Sequence, residues 1–271
     1  MDILDKILAH KKKEVEERKS LFPVKLLEKS IYFSGKTVSL KKYLRRPDKS
    51  GIIAEIKRKS PSKGMINKHV SVEKTSIGYM QAGASALSVL TDYHFFGGNN
   101  EDLKLARKFN FCPILRKEFI IDEYQVIEAK SIGADVILLI AAALPVPALR
   151  QLAIFAQSLG LEVLMEVHNA DELNQNLHDA VDLIGVNNRN LKTFEVSIDT
   201  SKNLSAAIPD QYVKVAESGI SAPETIVELR QYGFEGFLIG ETFMKSSRPE
   251  LACHRFITAV NQIDETKTVG S

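Results

Sequence analysis

Cysteine is nearly absent: Cys112 and Cys253 are the only two in 271 residues. Two isolated thiols exclude a disulfide framework and the paired spacing of a zinc site, and they fit a reducing cytoplasm. The six histidines show no HExxH pattern and no paired ligand spacing, so no metal is expected. An excess of one charge is also missing, with 36 Lys and Arg against 34 Asp and Glu. That balance gives no general attraction to nucleic acid or to an acidic membrane, which leaves a small molecule as the expected partner. Nor is there a long apolar run. The most apolar window, VILLIAAALPVPAL from Val136, carries two prolines and falls short of the roughly 20 residues that span a bilayer. The opening MDILDKILAHKKKEVEERKS mixes charges through the region where the apolar segment of a signal peptide would lie. A chain without membrane span or leader is expected.

What the sequence does have is repetition. Short β-like runs recur from position 52: IIAEIK at 52, ALSVL at 86, PILR at 113, DVILLI at 135, EVLMEV at 162, DLIGVN at 182, YVKVAE at 212 and GFLIG at 236. Between them lie segments of helical character, as in residues 70–83, 122–133 and 222–233. Gly83, Gly133, Gly160 and Gly233 each stand between a helical pattern and the next strand, where a left-handed cap costs glycine little. Strand, loop, helix and cap recur at about 20 to 35 residues, the size of a βα unit with parallel strands. Eight such units predict an α/β fold, a closed (β/α)8 TIM barrel over residues 51–262, in preference to an open doubly wound sheet.

Residues 1–50 lie outside the repeat and read as an N-terminal helical extension packed on the barrel. Ile3, Leu4, Ile7, Leu8 and Val15 fit one apolar helical stripe. In HKKKEVEERK the glutamates offset the lysines, so a solvated helix face is expected there rather than a basic binding arm. Residues 263–271 lack a pattern and are expected to form a frayed tail.

The stretch IIAEIKRKSPSKG poses the chemical question. Glu55 and Lys57 share one face of a strand that otherwise reads as core, about 6 to 7 Å apart, with Ile53 below them. In barrels of this kind the active site lies at the C-terminal rim of the strands, so polar residues at strand ends are the ones to collect. They are Glu55 and Lys57 after the first strand, Lys117 after the third, Glu166 after the fifth, Asn187 after the sixth and Glu217 after the seventh. Any one alone reads as a polar strand terminus. Converging on one mouth, such lysines and glutamates compensate one another and tune their proton affinities for acid and base work. VAESGI (215–220) and LIGETF (238–243) put small residues directly before helical segments, where backbone N–H groups of Ser218, Gly219, Gly240 and Glu241 can face a phosphate. The SPSKG loop, with Ser60 and Pro61, fits a lid over a ligand and fits an ordinary solvated loop equally. His168, close after Glu166, reads as a surface or packing histidine.

These motifs resemble the indole-3-glycerol phosphate synthase family. The blocks are IAEIKRKSPSKG, LTDYHFFGG (90–98), ILRKEFIID (114–122), GADVILLI (133–140), MEVH (165–168), IGVNNRNL (184–191), VAESGI (215–220) and LIGETFM (238–244), in order over roughly 50 to 245. The resemblance implies ring closure of 1-(2-carboxyphenylamino)-1-deoxyribulose 5-phosphate with loss of carbon dioxide and water, without a cofactor. It implies that Lys117 is the general acid at the ketone oxygen and that Lys57 binds the substrate carboxylate and delivers a proton during dehydration. Glu55 would hold a lysine, Glu166 would act as base or relay in later steps, and Asn187 would orient hydroxyls. The phosphate pocket carried over by the resemblance is Ser218, Gly219, Gly240 and Glu241, with Ser60, Arg189 and Glu217 as further substrate contacts. The aromatic pocket would comprise Phe96, Phe119, Leu138, Leu191 and Ile239. A lysine beside another cation would have a lowered pKa suited to proton donation. The chain departs from the family at Gly98-Asn99, where many relatives have Gly-Ser, and at Glu241, where some have serine. The Glu241 carboxylate is expected to point away from the phosphate.

Other activities fit the same scaffold: a phosphoribosyl anthranilate isomerase or a Schiff-base aldolase, or an inert barrel with a basic partner-binding arm. The expected state is a monomer acting on a phosphorylated small molecule, with neither nucleic acid nor membrane as partner.

Overall fold

A computed structural model describes residues 3–269, and side chains from 3 to 266. Three helices come first: α1 (Ile3–Leu21), α2 (Val24–Leu27) and α3 (Leu40–Leu44). Strand β1 (Ile52–Ile56) is followed by a small antiparallel hairpin of β2 (Lys59–Ser60) and β3 (Gly64–Met65). The remaining strands are β4 (Ala86–Leu90), β5 (Ile114–Lys117), β6 (Val136–Ile140), β7 (Glu162–Val167), β8 (Leu183–Asn187), β9 (Val213–Glu217) and β10 (Phe234–Ile239). Alternating with them run α4 (Val72–Gln81), α5 (Asn100–Phe109), α6 (Glu123–Ser131), α7 (Val146–Ser158), α8 (Ala170–Asn176), α9 (Asp199–Ser205) and α10 (Pro223–Arg230), and after β10 come α11 (Glu241–Met244) and α12 (Pro249–Val269).

β1 and β4 to β10 pair in parallel and close on themselves, β1 bonding to both β10 and β4. The fold is the expected (β/α)8 barrel, and each strand-like run of the sequence falls on a barrel strand. The four glycines expected to cap helices all adopt positive φ, from 74° at Gly160 to 98° at Gly83.

Alternation along the strands sorts the core into two layers. Outward residues such as Ile52, Ala54, Leu87, Ile114, Leu139 and Val163 pack under the helices. Inward residues such as Ile53, Leu115, Leu138, Leu164, Val215 and Leu238 fill the barrel, and Leu40 and Leu44 of α3 join that inner cluster. The barrel is therefore solid below its rim, and a ligand is confined to the top.

On α1, Leu4, Ile7 and Val15 are buried as the apolar stripe predicts. Lys11 departs from the expected solvated face. It is buried, with its ammonium 2.9 Å from Glu14, 2.9 Å from Asp92 and 3.0 Å from Glu118. Three carboxylates compensate the desolvation of one lysine, which a count of local charges does not reveal. Arg18 and Lys19 of the same helix bind Glu128 and Asp122 at the α6 side. The expected frayed tail is helical through Val269, and Arg230 binds Asp264 on its flank. Residues 270 and 271, like Met1 and Asp2, lie outside the described residues. Among the described residues no helix is long and apolar enough to cross a membrane.

Candidate active site

The inward side chain one step above the apolar floor is polar on strand after strand. Above Ile53 comes Glu55, above Leu115 comes Lys117, above Leu164 comes Glu166, and above Val215 comes Glu217. On β8 and just after β10 the corresponding inward positions are Gly185 and Gly240. A Cβ there would run into Oε1 of Glu217 and of Glu55 respectively. Both carboxylates thus occupy space that two glycines leave open.

The side chains meet. Lys117 Nζ donates to Glu166 Oε2 at 2.8 Å and also to Glu217 Oε2. Asn187 Nδ2 donates to Glu166 Oε1 at 3.0 Å, and Lys57 Nζ donates to Glu55 Oε1 at 2.6 Å. Burial alone lowers the pKa of the Lys117 ammonium, but Glu166, Glu217 and Glu55 outweigh it and hold the group protonated above the usual lysine range. This corrects the expectation of a lysine acidified by a neighbouring cation: the groups against Lys117 are carboxylates. Burial alone raises Glu166, yet Lys117 and then His168 outweigh it, so this carboxyl lies below the usual range. Glu217 is raised, by burial first and then by Glu166 and Glu55, against the pull of Lys117. Lys117 lies between the two carboxylates, and their pKa values are driven in opposite directions, Glu166 downward and Glu217 upward.

The cluster lies on the floor of a cavity of about 530 Å³, and every residue anticipated for catalysis or substrate contact borders it. Phe96 and Phe119 face each other with ring centroids 5.8 Å apart. Ile239 borders the cavity while packing in the outward layer. On the opposite side, after β9, Ser218 and Gly219 both take positive φ (66° and 76°). For serine that is a strained conformation, of the kind retained where backbone groups must face a ligand. Glu241 borders the cavity, and its carboxylate pairs with Lys245 at 2.7 Å, Arg189 at 3.6 Å and Lys63 at 3.9 Å.

The SPSKG segment forms the β2–β3 hairpin. Its base is fixed where Lys59 N donates to Phe96 O at 3.2 Å and Arg58 binds Asp102, while Ser60 and Pro61 border the cavity. Asn99, at the Gly98-Asn99 departure, caps α5 reciprocally with Asp102.

The family model for indole-3-glycerol phosphate synthase matches residues 4–266. The chain belongs to the indole-3-glycerol phosphate synthase family. It is 48% identical over 259 residues to the indole-3-glycerol phosphate synthase of Bacteroides thetaiotaomicron, covering 96% of this chain and 99% of that one. It is 45% identical over 243 residues to the enzyme of the same name from Thermoanaerobacter pseudethanolicus, covering 90% and 92%. Among solved structures, a chain of the tryptophan synthase a2b2 complex from Pyrococcus furiosus superposes with a TM-score of 0.58 at 15% identity, covering 79% of this chain and 99% of that one. A native KDPGal structure gives 0.56 at 14% identity, covering 82% and 96%. At such identities these two speak for the barrel alone.

Within this family's barrel, sequence reasoning missed two contributors to the site. Ile3, Leu4 and Ile7 of α1 border the cavity, although their stripe reads as packing. His168 faces Glu166 with Nε2 3.4 Å from Oε1, although β7 ends at Val167. Alternation carried one residue further would have found it.

Proposed function

We propose that the chain, a carboxy-lyase of tryptophan biosynthesis by its family, closes the indole ring of 1-(2-carboxyphenylamino)-1-deoxyribulose 5-phosphate with the following division of roles. Backbone N–H groups of Ser218, Gly219, Gly240 and Glu241 hold the phosphate, with Arg189 and Ser60 beside it. Phe96, Phe119, Leu138, Leu191 and Ile239 receive the anthranilate ring, and Lys57, held by Glu55, receives its carboxylate. The ring carbon bearing the carboxylate attacks the ketone carbon, and the carbonyl oxygen takes a proton from Lys117. The bond to the carboxylate then breaks, its electron pair returns to the ring, and carbon dioxide leaves. In the last step the hydroxyl departs as water with a proton from Lys57, while Glu166 removes a proton from the carbon beside nitrogen. Asn187 orients the hydroxyls. Two protons are delivered and one removed, which balances the loss of one carboxylate charge.

The raised pKa of Lys117 is compatible with this role, because the alkoxide formed by the attack is more basic than a lysine. A resting ammonium also disfavours a Schiff base, which needs the free amine. Support comes above all from the pairing of Lys117 with Glu166 at 2.8 Å on the floor of the cavity. The same proposal assigns residues 51–262 to the catalytic barrel and residues 1–50 to an extension packed on it, in a cytoplasmic monomer. Purified protein given the anilino-ribulose phosphate is expected to produce indole fluorescence. Isomerisation of phosphoribosyl anthranilate without that signal would overturn the assignment.

A further inference from the structure

His168 occupies a position between two carboxylates. Its Nδ1 lies 3.1 Å from Glu172 Oε2, and that oxygen also accepts the His168 backbone N–H at 2.8 Å. Asn169 Nδ2 holds the other oxygen of Glu172 at 2.8 Å, and Asn169 Oδ1 accepts the Glu172 backbone N–H at 2.9 Å. Glu172 is therefore fixed at the first turn of α8, and an acceptor fixed against Nδ1 requires that nitrogen to carry the proton. The far nitrogen, Nε2, is shut off from water and makes no hydrogen bond among the described residues. It lies 3.4 Å from Glu166 Oε1, the oxygen that Asn187 also holds.

We propose that His168 is a positioning residue for Glu166: anchored through Nδ1 by Glu172, it presents Nε2 to the carboxylate, orients it and holds it ionised. A neutral Nε2 would turn a lone pair towards an anion, whereas a protonated one attracts it. The groups facing the imidazole agree. Glu166 on β7, Glu172 on α8 and Glu217 on β9 all favour the cation, and the pKa of His168 is raised although burial by itself lowers it. Lys117 approaches the other oxygen of Glu166. The carboxylate is thus gripped at one oxygen by Lys117 and at the other by Asn187 and His168, and as a base it must turn neither way.

This inference rests on the proposed role of Glu166, so the test carries its own controls. The pH profiles of kcat and KM are measured with the anilino-ribulose phosphate for wild type, E166Q, H168A, H168Q and E172Q. H168A is expected to lower kcat on the order of ten- to a hundredfold, with KM within about twofold. The acid limb of kcat should move to higher pH, because Glu166 has lost a cation. H168Q, polar but never charged, should recover part of kcat and leave the limb displaced. E172Q should displace the limb in the same direction with the imidazole still present, and it decides the matter where H168A fails to fold. The inference alone is overturned when wild type turns over, E166Q does not, and H168A and E172Q keep the wild-type profile. It is also overturned when H168Q restores both kcat and the limb in full, as a packing role would. A wild type inert towards this substrate overturns the functional assignment and this inference together.

Discussion

Lys11 of the first helix lies 3.0 Å from Glu118, the residue that follows Lys117, and both side chains are buried. Asp92 shares the same ammonium at 2.9 Å and accepts the backbone N–H groups of Phe95 and Phe96. One lysine thus joins the extension to the two loops that carry Phe96 and Phe119 to the cavity. Removing it leaves Asp92 and Glu118 as buried carboxylates without their cation. Lys11→Ala is expected to cost about 3 to 5 kcal/mol of stability, read by urea denaturation. A loss under about 1 kcal/mol would mean that the network is no stronger than a surface ion pair.

On the proposed division of roles, Lys117 acts as a proton donor rather than as a packing element. Lys117→Ala should retain a folded barrel, since Glu166 and Glu217 then relieve their repulsion by sharing a proton. Turnover should fall by about 10² to 10⁴, and an unchanged circular dichroism spectrum would separate that loss from unfolding. Near-normal kcat in this variant would remove the proposed acid.

Much of this architecture was legible in the sequence, and for a physical reason. A period of two on the strands, a helical stripe between strands and a glycine after four of the helices are local signals, and local signals survive in a string of letters. The charged rim was legible too, because Glu55, Lys117, Glu166 and Glu217 interrupt runs that are otherwise core. What was not legible depends on contacts between distant segments. Nothing near Lys11 announces that Asp92 and Glu118 neutralise it, and nothing near Lys117 says that its neighbours are anions, which reversed the expected direction of its pKa. The partners of Glu241 are hidden likewise: Arg189 and Lys63, remote in sequence, pair with its carboxylate.

Glu128 gives a pH dependence with a definite sign. Burial raises its pKa, but Arg116 and Arg18 outweigh this, and the folded value lies below that of the unfolded chain. A depressed carboxyl contributes stability that is fully present above its unfolded pKa and is lost as pH falls through the folded one. Glu128→Gln should therefore cost about 3 kcal/mol at neutral pH, leaving Arg116 buried without its anion. The gap to wild type should be constant near neutrality and should shrink as the solution is acidified below the ordinary glutamate range. Denaturation midpoints across pH would show it, and a gap that widens in acid would contradict the assignment.

Gly185 separates catalytic geometry from stability. An added Cβ on β8 would run into Glu217 Oε1, while Leu164 Cδ1 stands at 3.3 Å. The obstructing atom is the end of a side chain rather than backbone, so the fold can yield at small cost. The carboxylate that yields, however, is one of the two that hold the Lys117 ammonium. Gly185→Ala should shift the thermal midpoint by only a few degrees, in keeping with a cost of about 1 kcal/mol. Its kcat should drop on the order of tenfold to a hundredfold, because displacing Glu217 moves Lys117, the proposed proton donor, away from the ketone oxygen. If kcat and stability fell in proportion, or if kcat were untouched, Glu217 would have no part in placing Lys117, and the glycine would serve packing alone.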